Sequence, residues 1–185
     1  MPALFPQHDI ESAPAAAQPL LEEVKADFGM IPNLERTLAS APAALEGYVR
    51  LWALFDQTSF TPIERQVVYQ TANFLNGCTY CIPWHTLLSQ KAGMCDEDVQ
   101  ALREGKPLSD EKLEVLRIFT TRMVESRGHP PEEELDAFFA AGYTDVQAME
   151  VVLGLATKVI SNYTNGIAGT PLDAQVRHLS VEGDG

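Results

Sequence analysis

Residues 61–91 read TPIERQVVYQTANFLNGCTYCIPWHTLLSQK, and the order of caps and breaks in this stretch decides the fold. Thr61 suits an N-cap, Pro62 suits the first helical position, and Glu64 falls three residues after the cap, in capping-box register. Ile63, Val67, Thr71, Phe74 and Leu75 then recur at helical spacing as a buried stripe, until Asn76-Gly77 ends the helix. A second helix is expected from about Tyr80 to Lys91. Pro83 sets its phase. A proline lacks the amide hydrogen and clashes with the carbonyl four residues back, so it is tolerated only in a first turn. The helix therefore starts near Cys78 to Tyr80, with Cys81 in its first turn.

Working outward, the chain yields helices and almost nothing else. No alternating β-branched run bounded by turns occurs, and no internal repeat. A helix over Leu20 to Phe28 stops at Gly29, and Pro32 restarts the chain in a short turn. Leu45, Tyr48, Trp52 and Phe55 form a helical stripe after Pro42. Helices are expected at about Asp96–Glu104, Asp110–Ser126 (with Ser109 as N-cap) and Glu132–Ala140. The last helix opens with Thr144 and Gln147 in capping-box register and runs through Val146, Met149, Leu153, Ala156, Ile160 and Tyr163. Between Val151 and Leu172 its only charge is Lys158, so it lies in the core or in a subunit contact. Val151, Leu155 and Val159 fall off that stripe, which predicts a homo-oligomer burying part of residues 145–167. The expected class is all-α: a Pro- and Ala-rich N-terminal arm over 1–19, then one domain over 20–185.

Composition agrees with that class. The 185 residues carry 13 Lys+Arg against 26 Asp+Glu, a net charge of −13, with 45% hydrophobic and 21% charged residues. These proportions exclude disordered, collagen-like and disulfide-scaffold classes. The negative charge and scattered cations argue against nucleic acid and anionic membranes as partners. The opening residues MPALFP lack the basic and apolar regions of a signal peptide, and no window is apolar enough for a membrane span. A cytoplasmic location is expected. Residues 66–90 hold no Asp, Glu, Lys or Arg and read as protein interior.

The chemistry concentrates between Glu64 and His85. Cys78-Thr79-Tyr80-Cys81 is a C-x-x-C pair, a spacing that in an intracellular chain points to redox or metal chemistry. A helix N-terminus favours thiolate over thiol. Cys81 and His85 are four apart, on one helical face, and the Asn-Gly turn folds the Glu64 helix back toward them. A carboxylate, an imidazole and a thiol can thus converge. Each has a plainer reading: Glu64 as a capping-box residue, His85 as a hydrogen-bonded core histidine, the cysteine pair as half a zinc site. Cys95 reads as a plain thiol, His8, His129 and His178 as surface residues, and Trp52 and Trp84 as packing residues.

Glu64, thirteen residues, Cys78-Thr79-Tyr80-Cys81, three residues and His85 resemble the core motif of alkylhydroperoxidase D-like (AhpD-like) proteins of the carboxymuconolactone decarboxylase superfamily. Phe28-Gly29-Met30-Ile31-Pro32-Asn33 resembles the opening segment of its peroxidase-related branch, and Ala141–Asp145 and Ser161–Asn165 resemble the bounds of that branch's last helix. The resemblance implies an all-helical, oligomeric fold and a thiol-dependent peroxidase that needs no cofactor or metal. In that mechanism Cys81 is the peroxidatic thiolate, Cys78 the resolving thiol, His85 the proton relay and Glu64 the group that orients His85. The substrate would be a small hydroperoxide, and the reductant an external dithiol on a lipoyl-bearing or thioredoxin-like partner. Tyr80 stands where better-known members often carry a second histidine. The cysteine pair argues against lactone decarboxylation. Two alternatives stay open: a thiol–disulfide oxidoreductase or redox sensor without peroxide turnover, and a protein binding metal through Cys78, Cys81 and His85.

Overall fold

Prolines, glycines and capping side chains divide the chain into short helices that pack around α4. The computed structural model describes residues 5–181. The helices are α1 Gln18–Phe28, α2 Asn33–Leu38, α3 Pro42–Asp56, α4 Pro62–Leu75, α5 Cys81–Lys91, α6 Asp96–Glu104, α7 Glu111–Glu125, α8 Glu132–Ala140 and α9 Asp145–Ala168. A 3-10 turn at Arg177–Leu179 follows, and no strand occurs among the described residues. The all-α reading holds.

Both expected capping boxes are formed. Thr61 N–H donates to Glu64 Oε2 at 2.8 Å and Glu64 N–H to Thr61 Oγ1 at 3.2 Å; Thr144 and Gln147 pair in the same way. The start of α7 differs from expectation. Asp110, not Ser109, is the cap and accepts from Leu113 N–H, because the buried Asp98 carboxylate already holds Ser109 through its N–H and hydroxyl.

α4 packs against α5, α7 and α9, and two apolar clusters form around it. One joins Phe55, Val68 and Tyr69 to Leu116, Phe119 and Phe138. The other holds the cysteines with Leu21, Leu45, Tyr48 and Trp84. Trp52 packs against both clusters. Part of the segment read as an arm also belongs here, since Ala13 and Ala17 are buried in the second cluster. Phe74, expected in the buried stripe of α4, is 39% exposed.

The last helix faces the opposite way from its expected stripe. Val146, Met149 and Tyr163 are exposed, Met149 by 70%, whereas Val151 is fully buried. The inward face of α9 is small and polar: Ala148, Gly154, Thr157, Lys158, Ser161, Asn162 and Asn165. Small residues allow close approach. A Cβ at Gly154 would stand 2.8 Å from the Phe55 ring and 2.9 Å from Val68. That approach brings Lys158, one turn further on, into the centre of the molecule.

Candidate active site

The start of α5 carries the site. Cys78 lies in the turn before the helix, where its N–H donates to Asn73 carbonyl, and Cys81 is the first helical residue. Both are buried and reduced, and Cys81 N–H donates to the Cys78 sulfur at 3.3 Å. Two amides from α9 donate to the Cys81 sulfur: Asn162 Nδ2 at 3.1 Å and Asn165 Nδ2 at 3.3 Å. The Asn162 amide is oriented by Asn73 Oδ1, which accepts from it at 2.9 Å, and by Asn76, which donates to its Oδ1.

These contacts separate the two thiols chemically. Burial alone pushes the Cys81 thiol up, but the hydrogen bond from the Cys78 thiol, the charge of Lys158 and the amides of Asn165 and Asn162 outweigh it. Cys81 is held below the ordinary thiol range, whereas its bond to Cys81 and burial raise Cys78 far above it. The pair is poised as a thiolate beside a thiol that donates to it.

His85 is fixed at both ring nitrogens. Lys158, 1% exposed, places its Nζ 3.0 Å from His85 Nε2. An ammonium can only donate, so Nε2 accepts and the ring proton sits on Nδ1, 2.8 Å from Gln66 Oε1. Burial, then the Lys158 charge, pushes the imidazole well below its ordinary value, so His85 is neutral. Trp52 and Tyr69 flank the ring at centroid distances of 5.8 and 5.0 Å. No hydrogen bond joins His85 to Cys81 among the described residues; Lys158 is the group that acts on both.

Glu64 is elsewhere. Its carboxylate closes the capping box and lies 3.7 Å from Lys112 Nζ. Gln66 takes the place expected for it, because two residues along a helix turn a side chain through about 200°. Tyr80 also stands apart from the sulfur chemistry. Its Oη donates to Asp173 at 2.5 Å and accepts from Leu34 N–H, and Trp84 Nε1 donates to the same carboxylate at 2.9 Å.

Two cavities flank the cysteine pair. One, of about 120 Å³, is walled by Tyr48, Trp52, Tyr80 and Trp84, with Cys81, His85, Lys158 and Glu35 at its polar end. The other, of about 440 Å³, is lined by Cys78, Thr79, Asn162 and Asn165 and does not include Cys81.

Residues 42–107, which contain Glu64, both cysteines and His85, match the model of the carboxymuconolactone decarboxylase family. The whole fold is similar to that of a peroxidase-related protein from Ralstonia eutropha described as an alkylhydroperoxidase AhpD core, with a TM-score of 0.82 at 19% identity over 93% of both chains. The chain has an AhpD-like fold. A peroxidase-related protein from a Silicibacter species superposes on the chain with a TM-score of 0.78 at 18% identity, covering 94% of this chain and 93% of that one. The debrominase Bmp8 in complex with 2,3,4-tribromopyrrole gives 0.79 at 18% identity over 96% of both. No curated protein matches the sequence.

The α5 residues of the site were visible in the sequence, but their partners were not. Gln66, Asn162 and Asn165 carry no charge, and the two asparagines join α5 across more than eighty residues of chain. Lys158 alone gave a signal, as the single charge between Val151 and Leu172. Among the described residues no group of three or more His, Cys, Asp and Glu side chains could hold a metal ion. No helix among them is long and apolar enough to cross a membrane.

Proposed function

We propose that the protein is a thiol-dependent peroxidase that reduces small organic hydroperoxides through Cys81 and Cys78. The observation that carries this reading is the Cys81 sulfur: buried, given hydrogen bonds by two asparagine amides and within the field of a buried lysine, with a second thiol alongside. Fixed donors of this kind hold a thiolate ready in place without a base at the moment of reaction. The Cys81 sulfur attacks the terminal peroxide oxygen, the O–O bond breaks, sulfur is oxidised to sulfenic acid and an alcohol leaves. The Cys78 thiol then attacks that sulfur, closing a disulfide and releasing water. An external dithiol, on a lipoyl-bearing or thioredoxin-like protein, reduces the disulfide. In this mechanism His85 positions Lys158, and Glu64 caps its helix.

The cavity supports an apolar substrate. Its roughly 120 Å³ and aromatic wall suit a ring or branched alkyl group; an apolar cavity of ~150 Å³ accommodates benzene.

Stopped-flow oxidation of the reduced protein by cumene hydroperoxide tests the reading. The wild type should consume one peroxide per subunit rapidly and form a Cys78–Cys81 disulfide. Cys78→Ser should stop at a sulfenic acid that dimedone traps, Cys81→Ser should react at background rate, and Glu64→Gln should match the wild type. Failure of the wild-type thiols to oxidise faster than free cysteine would overturn the proposal. It would leave thiol–disulfide exchange as the better account.

A second reading has one observation in its favour, the likeness to the debrominase in complex with tribromopyrrole. In it the dithiol gives two electrons to a bromoaromatic, yielding the aromatic ring with hydrogen in place of one bromine, bromide, a proton and the disulfide. Bromide release from 2,3,4-tribromopyrrole by the reduced protein, with no peroxide reactivity, would establish it.

A further inference from the structure

One buried acid stands at the site without a role in that mechanism. Glu35, on α2, is 9% exposed, and its Oε2 has no hydrogen-bond partner. A buried polar atom left unpaired is costly, so its retention asks for an explanation. Glu35 lies in the wall of the 120 Å³ cavity that also holds Cys81.

The peroxide step needs such a group. When the thiolate takes the terminal oxygen, the departing oxygen becomes an alkoxide in an apolar pocket, where an unneutralised charge is strongly disfavoured. The other candidates are committed. The His85 Nδ1 proton goes to Gln66; Lys158 gives one of its three N–H groups to His85 Nε2, and loss of its proton would remove the charge that helps to keep Cys81 ionised. Burial makes Tyr48 and Tyr80 weaker acids than ordinary phenols.

We propose that Glu35 is the general acid of the peroxide step, delivering its carboxyl proton to the alkoxide oxygen that leaves as Cys81 is oxidised. The inference rests on the peroxidase reading above. The step balances: Cys81 thiolate, hydroperoxide and Glu35 carboxylic acid become Cys81 sulfenic acid, alcohol and Glu35 carboxylate. The proton returns from water when the next thiolate forms. Burial, and then the charges of Asp173 and Cys81, push the Glu35 carboxyl up to about 8, so it is protonated near neutrality. The titratable groups that face it are Tyr48 of α3, Tyr80 and Cys81 at the start of α5, Lys158 of α9 and Asp173 of the C-terminal segment. Glu23 and Asp27 of α1 line the same cavity.

The experiment compares leaving groups. Reduced wild type and Glu35→Gln are mixed with tert-butyl hydroperoxide, whose alkoxide must be protonated, and with peracetic acid, whose carboxylate leaves without a proton. With tert-butyl hydroperoxide the variant should be slower by ~10²–10⁴-fold, the usual range for loss of a general acid. With peracetic acid, near pH ~6 where carboxylates ordinarily ionise and peracids do not, it should stay within a few-fold of wild type. Iodoacetamide alkylation of Cys81 should be unchanged, showing that the thiolate itself is intact. Equal slowing with both peroxides, or no slowing with either, overturns the role of Glu35 while the peroxidase reading stands. A wild type that reacts with neither peroxide overturns both. Should the variant fail to fold, the wild type alone decides. Its tert-butyl hydroperoxide rate should fall as pH rises through about 8 while its alkylation rate does not; two rates that move together overturn the proposal.

Discussion

Lys158 is a cation inside an apolar helix, and its two neighbours respond to it in opposite senses. Its charge helps to keep Cys81 ionised and His85 neutral. Lys158→Met keeps the length and removes the charge. The midpoint of the pH profile for Cys81 alkylation should then move up by ~1–3 units, the usual effect of losing an opposite charge at this range. Below the new midpoint the sulfur is mostly thiol, so alkylation near neutrality should slow in proportion. Stability should fall, because the substitution leaves His85 Nε2 without its donor and the Cys81 thiolate without its charge partner. An unmoved midpoint would remove Lys158 from the account. At this scale the sequence was legible where chemistry is local. Cys78, Cys81 and His85 share one turn and the helix that follows, and Pro83 placed the start of that helix one to three residues early. Gln66 was missed because Glu64, two positions earlier, carries the more conspicuous charge. Asn162, Asn165 and Glu35 come from distant segments whose alignment with α5 is a property of the packing.

The elements themselves were easier to read, since each is bounded by a local device. Capping boxes at Thr61 and Thr144 and the left-handed glycine after Phe28 gave the helix ends they imply. The facing of α9 was not legible. It carries apolar residues on two sides, and only the contact at Gly154, where φ is ordinary but space is absent, shows which side lies inward. Gly154→Ala tests that contact. A methyl there meets Phe55 and Val68 within 3 Å. Overpacking costs ~1–3 kcal/mol, and the helix preference of alanine returns ~1 kcal/mol of it. A loss of roughly 2–4 °C in melting temperature per net kcal/mol is expected. Cys81 alkylation should slow as well, because α9 carries Lys158, Asn162 and Asn165 away from the sulfur as it yields. A variant as stable and as reactive as wild type would show that the close approach is slack.

For the molecule as a whole, α9 presents Val146, Met149, Val152, Val159, Tyr163 and Ile167 outward, the last 71% exposed. That continuous apolar face on a 20.3 kDa chain is the expected seat of self-association. Light scattering at micromolar concentration should give a mass of at least two chains, and Met149→Glu with Ile167→Glu should return it to one. A wild-type monomer would refute the expectation. Association through the outer face of α9 would brace the helix whose inner face holds the sulfur. The position of the two cavities carries a different consequence, for traffic. Cys81 lines one cavity and Cys78 the other. In the proposed cycle, a dithiol attacking the disulfide at Cys78 would expel the Cys81 thiolate, the more stable leaving group of the pair. In that cycle oxidant and reductant would then use separate doors, and a crowd of one at its own door would leave the other free.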